Sequence, residues 1–71
     1  KLKIPQGAPQ LVQEMFKLMN KNKLLVADVA DGSGISPRAI SDWRYKRSPT
    51  LQSFQAVLNN FGYEIKIVPK D

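Results

Sequence analysis

The sequence predicts a mainly α domain, four helices followed by a C-terminal β-strand. Three observations predict it. Apolar residues recur at three- and four-residue steps in four separate stretches, the spacing of one helix face. Proline, glycine and capping residues separate those stretches. The final stretch alternates apolar and polar side chains, the two-residue period of a strand.

Residues 1–9, "KLKIPQGAP", read as an N-terminal arm or short strand followed by a turn. Leu2 and Ile4 alternate with Lys1 and Lys3, and two prolines and a glycine follow. Residues 10–62 hold the helices. From Gln10 to about Lys21, the residues Leu11, Val12, Met15, Phe16, Leu18 and Met19 define one core face. Pro9 suits the first turn of that helix, and "NKNK" ends it with turn formers and cations. The stripe Leu25, Val26, Val29 and Ala30 predicts a second, short helix from Leu25 to Asp31. Gly32 and Gly34 close it, because glycine adopts the left-handed backbone of a helix exit. Ser36 is a good N-cap and Pro37 a good first residue for a third helix, from Pro37 to about Tyr45.

"KRSPT" then breaks the pattern, and either Ser48 or Thr50 caps the fourth helix. Leu51, Phe54, Val57, Leu58 and Phe61 form its stripe, and Gly62 stops it. Residues 63–71 are the strand and tail: Tyr63, Ile65 and Ile67 alternate with Glu64 and Lys66, and Pro69 ends the run. A lone strand cannot satisfy its own backbone groups. Two partners are open, the "KLKI" arm of the same chain or the same strand in a second copy.

At 71 residues the chain is one domain in size. A domain this short buries only about 60% of the surface its unfolded chain exposes, so its core is small. There is no cysteine and no histidine. Disulfides, the usual zinc sites, thiolate nucleophiles and imidazole acid/base catalysis lose their residues. The carboxylates sit singly apart from Asp28 and Asp31, three apart on a helix surface, which read as a solvated edge. The expectation is a protein that is not an enzyme, with no metal and no cofactor. The formal net charge of +5 points to an anionic partner. No apolar run approaches the roughly 20 residues of a membrane span. No signal peptide is visible, so the expected location is the cytoplasm.

The third helix carries the chemistry. At about 100° per residue, Ile40 and Trp43 share one face, flanked by Ala39 and Ser36. The opposite face holds Arg38, Ser41, Asp42 and Tyr45, with Arg44 and Lys46 on the flanks and Arg47 after them. Such a helix suits the DNA major groove, which is about 12 Å wide and admits one helix. Arg38 is suited to guanine, Ser41 and Asp42 to other base edges, and Tyr45 to a thymine methyl or a phosphate. Basic residues at the rim suit phosphates. A short helix, a Gly-containing turn and a capped second helix form a helix-turn-helix. Val29, Ala30, Ile35, Ile40 and Trp43 all face the junction.

The stretch "VADGSGISPRAISDWRYKRSPTLQSFQAVLNNFG" resembles the lambda-repressor-like, Cro-type helix-turn-helix family of DNA-binding domains. The resemblance rests on Val29-Ala30, the turn "SGIS", Ile40 and Trp43 at the recognition-helix core sites, and "SPTLQSFQAVLNNFG" as the next helix. It covers about residues 11–62. It implies base readers at Pro37, Arg38, Ser41 and Asp42, and phosphate contacts near Arg44, Lys46, Arg47 and Thr50. It also implies backbone amides of the second helix facing phosphate. Ser36 joins the expected phosphate contacts. Where family members carry a polar cap and a Gln at the start of the second helix, this chain has Leu25 and Val26. Lys21 and Lys23 are expected to replace that Gln as point charges. "GYEIKIV" resembles a subset, including antitoxin-type regulators, whose last strand pairs across a dimer, here through Tyr63, Ile65 and Ile67.

The expected function is a sequence-specific transcriptional regulator, a repressor of bacterial or phage type, bound as a homodimer to double-stranded DNA. The alternative is a protein-interaction module, such as an antitoxin-like domain that binds a protein partner and has secondary DNA binding. A role in phage DNA handling would use the same contacts.

Overall fold

The computed structural model describes residues 3–45 and 47–70. Among them lie four helices, α1 (Gln10–Lys21), α2 (Val26–Ala30), α3 (Pro37–Asp42) and α4 (Leu51–Asn60). The core takes Val12, Met15, Phe16 and Met19 from α1, Val29 and Ala30 from α2, and Ile40 from α3. Trp43 and then Phe54, Val57 and Leu58 of α4 complete it. Helix α2 packs on both α3 and α4. Burying each large apolar side chain contributes roughly 1.5–3 kcal/mol. Short helices are marginal in isolation, so this shared core is what keeps α2 and α3 helical.

Local chemistry sets the helix ends. Ser36 caps α3: its Oγ accepts from the Ala39 N–H at 3.1 Å. Thr50 caps α4 in the same way through the Ser53 N–H at 3.1 Å, which settles the choice between Ser48 and Thr50. At the end of α4 the Tyr63 N–H donates to the Leu58 carbonyl at 2.9 Å and the Gly62 N–H to that of Asn59 at 3.2 Å. This paired closure needs a left-handed residue, and Gly62 takes φ +95°. Helix α1 closes by the same pattern, from Leu24 N–H to Met19 at 2.8 Å and from Lys23 N–H to Asn20 at 3.1 Å. Here the left-handed position falls on a lysine, Lys23 at φ +58°.

Three expectations need correcting. Helix α2 is shorter than the apolar stripe implied. Leu25 is extended and serves as its N-cap, and Asp31 leaves it with extended backbone. Helix α3 ends at Asp42 rather than Tyr45. Trp43, Arg44 and Tyr45 wind more tightly, their amides bonding to Ile40, Ser41 and Asp42 at 3.1–3.2 Å. That three-residue pattern is the common way for a helix to tighten its last turn. Residues 63–70 form no strand, and no strand occurs among the described residues. The physical reason is separation of the expected partners. Lys3 and Ile4 lie along the turn after α3, whereas Ile65 lies over the seam between α1 and α4. With no neighbouring strand the tail has no ladder to join. Lys1 and Leu2 of the arm lie outside the described residues.

Two substitutions test these end structures. Lys23→Gly relieves a left-handed side chain and should stabilise the fold by about 1 kcal/mol. Thermal unfolding should then show a rise of roughly 4–8 °C for a domain of this size. Ser36→Ala removes the α3 cap and should cost about 1 kcal/mol. Ser36→Asp keeps an acceptor there and should restore most of that loss in chemical denaturation.

Candidate nucleic-acid interface

The site is built on the α2–turn–α3 unit. The turn is held by Ser33, whose Oγ donates to the Ala30 carbonyl at 2.8 Å and accepts from the Ile35 N–H at 3.0 Å. Gly32 in this turn stands at φ +84°, and a Cβ there would approach Asn60 Oδ1 to 3.3 Å. The Asn60 side chain bonds the carbonyls of Val29 at 2.9 Å and Asp31 at 2.6 Å. It therefore ties the C-terminal end of α2 to α4 and satisfies carbonyls that a helix end leaves open. No local sequence signal marks this residue, because the tie spans about thirty positions.

Helix α3 divides as its periodicity requires. Ile40 is fully buried and Trp43 nearly so. The Trp43 ring stands edge-on to Phe54, with centroids 6.0 Å apart. Pro37 and Arg38 are exposed on the outer side, while Ser41 and Asp42 are half-buried. Tyr45 follows in the tight turn with 69% of its surface exposed, and Arg47 is exposed beyond it. The backbone carbonyl of Asp42 accepts from both Tyr45 and Arg47 N–H groups at 3.1 Å. One carbonyl thus sets where both residues leave the helix. Arg38, Tyr45 and Arg47 are exposed along α3 and the chain that leaves it. Among the described residues the ion pair joins Lys66 and Glu64 at 3.1 Å, so Arg38 and Asp42 stay unpaired to each other.

The other expected contacts divide into groups. Lys21 and Lys23 are exposed just before α2, on the approach to its N-terminus. Ser36 and Thr50 are exposed, but their hydroxyls serve as helix caps. Arg44 is half-buried, its guanidinium over the Phe16 ring at 5.6 Å and the Tyr45 ring at 5.4 Å. Lys46 lies outside the described residues. The start of α2 already carries an anion. Asp28 accepts from the Leu25 N–H at 2.8 Å, the back-reaching half of a capping box at the positive end of the helix. A phosphate approaching those amides meets a carboxylate first.

A cleft of about 470 Å³ runs between the arm and the turn after α3, lined by Lys3, Trp43, Arg44, Tyr45 and Arg47 among others. Lys3 joins this cleft although it is not one of the contacts the sequence predicts. Its place in the alternating arm put it on the solvent side, but nothing local related it to Arg47. Among the described residues the cleft walls carry cations and no carboxylate.

No described helix is long and apolar enough to cross a membrane. Comparison with curated proteins and with solved structures gives no significant match. A family model described as Helix-turn-helix matches residues 15–68, about three quarters of the chain. The matched span contains α2, the Gly-containing turn, α3 and α4, together with most of α1. The chain belongs to the lambda-repressor-like, Cro-type helix-turn-helix family of DNA-binding regulatory domains.

Proposed function

We propose that this domain is a sequence-specific transcriptional repressor, acting in the cytoplasm as a homodimer on duplex DNA and without enzymatic activity. The observation that carries this reading is the exposed polar face of α3, held outward by buried Ile40 and Trp43. Arg38, Ser41 and Asp42 meet base edges in the major groove, with Pro37 at the helix start and Tyr45 at its exit. Lys21, Lys23 and Arg47 hold phosphates on either side, joined by Lys46. Phosphate contacts supply affinity and register, and base contacts supply the choice of sequence.

The homodimer rests on the tail. Ile67 is fully exposed and Val68 is 71% exposed, and the run keeps the alternation of a strand with no strand partner among the described residues. Pairing Tyr63, Ile65 and Ile67 with their counterparts would give the backbone beyond the α4 closure a ladder to join. A two-fold dimer on a duplex reads half-sites about 34 Å apart, one helical turn. A second reading, a module that binds another protein, draws on the same apolar tail and on Leu25, which is 56% exposed at the start of α2.

Selection from a randomised duplex pool, followed by salt-titrated binding to selected and random duplexes, tests the reading. The logarithm of the association constant should fall linearly with the logarithm of salt, by about 0.9 per phosphate held. Arg38→Ala should lower the preference for the selected sequence by roughly 1–3 kcal/mol. Arg47→Ala should weaken all duplexes alike and reduce the salt slope by about one contact. Absence of salt-dependent binding to any duplex, together with tight capture of one protein, would favour the second reading.

A further inference from the structure

Arg44 stands among the cations that leave α3, yet its surroundings differ from those of exposed Arg38 and Arg47. It is half-buried. Its guanidinium carbon lies 5.6 Å from the centre of the Phe16 ring, which belongs to the core and has no exposed surface. The same carbon lies 5.4 Å from the centre of the Tyr45 ring. Its Nε is sealed from solvent and has no hydrogen-bond partner among the described residues. A cation within about 6 Å of an aromatic face is held by the ring quadrupole, more strongly where water is excluded. Both rings thus hold the guanidinium where it lies.

Tyr45, by contrast, has most of its surface in solvent. Its ring has Arg44 beside it and shares the walls of the arm cleft with Lys3 and Arg47. We propose that Arg44 is a positioning residue rather than a phosphate contact: anchored on Phe16, its guanidinium supports the Tyr45 ring and sets the direction in which Tyr45 meets DNA. The proposal rests on the DNA-binding reading above. It gives the buried α1 ring a part in recognition, through one cation and one exposed phenol.

The test is a double-mutant cycle read in duplex binding. Arg44→Met keeps a flexible chain on Phe16 and removes the charge. Arg44→Lys keeps a cation there, and Tyr45→Ala removes the supported ring. On a selected duplex, Arg44→Met should weaken binding several-fold with the salt slope of the unsubstituted chain retained. In the Tyr45→Ala background the same change should have no further effect. Arg44→Lys should restore most of the loss. A purely structural role would lower affinity equally in both backgrounds and so overturn the proposal. A salt slope reduced by about one contact in Arg44→Met, with effects that multiply in the double variant, would make Arg44 a phosphate ligand and overturn it too.

The unsubstituted chain supplies a measurement free of folding defects. In ¹⁵N-edited spectra, the Arg44 Nε–H signal should stay protected from exchange when duplex is added, while that of Arg47 shifts. Equal shifts of the two signals would count against the assignment. If the unsubstituted chain binds no duplex at any salt, the DNA-binding reading itself falls and takes the proposal with it.

Discussion

The burial of Trp43 and Ile40 is the constraint on which the rest of the structure depends. Helix α3 has six residues, far fewer than an isolated helix needs in water. Two large side chains on its inner side supply what its backbone cannot. Trp43 meets Phe54 of α4 edge to face, an arrangement that aromatic quadrupoles favour over a flat stack. Because a helix turns about 100° per residue, fixing Ile40 and Trp43 inward fixes Arg38 outward. Neither buried residue needs to touch a ligand for the outer surface to be useful.

Chain closure around that anchor is short and mostly local. Ser36 and Thr50 spend their hydroxyls on helix starts, and the tight turn at Trp43–Tyr45 redirects the chain within three residues. The exception is Asn60, which reaches from the end of α4 to two carbonyls at the end of α2. It links the helix that supports Trp43 to the helix that begins the helix-turn-helix. The geometry of α2 against α3 is therefore held from outside the motif as well as within it.

Charge is distributed less evenly than the net value of +5 suggests. Asp28 occupies the positive end of α2, and Lys21 and Lys23 are exposed on its approach. On the other side of α3, Arg47 and Lys3 border one cleft with no carboxylate in its walls among the described residues. Arg44 lies between, its charge turned toward rings. Equal formal charges thus serve unequal roles, and the difference comes from burial. A cation in water is free to follow a phosphate, whereas one packed on an aromatic core residue is committed to its place.

The sequence by itself determined the four helices, the cap at Ser36, and the burial of Ile40 and Trp43, while the choice of Thr50 over Ser48 as the α4 cap came from the structure. Each depends on residues within a few positions of one another, where periodicity and turn chemistry act directly. It also determined which side of α3 is polar, because that follows from helical period alone. Tertiary structure decided the rest. The apolar alternation of residues 63–68 met no neighbouring strand, since pairing depends on what lies beside a segment and not on its own pattern. The early end of α3 at Asp42 reflects a switch in backbone bonding that no side chain announces. Asn60 and the Phe16–Arg44 contact join positions far apart in the chain. Proximity of that kind exists only after the helices pack, and with it the division of the basic residues into those that face solvent and those that face the core.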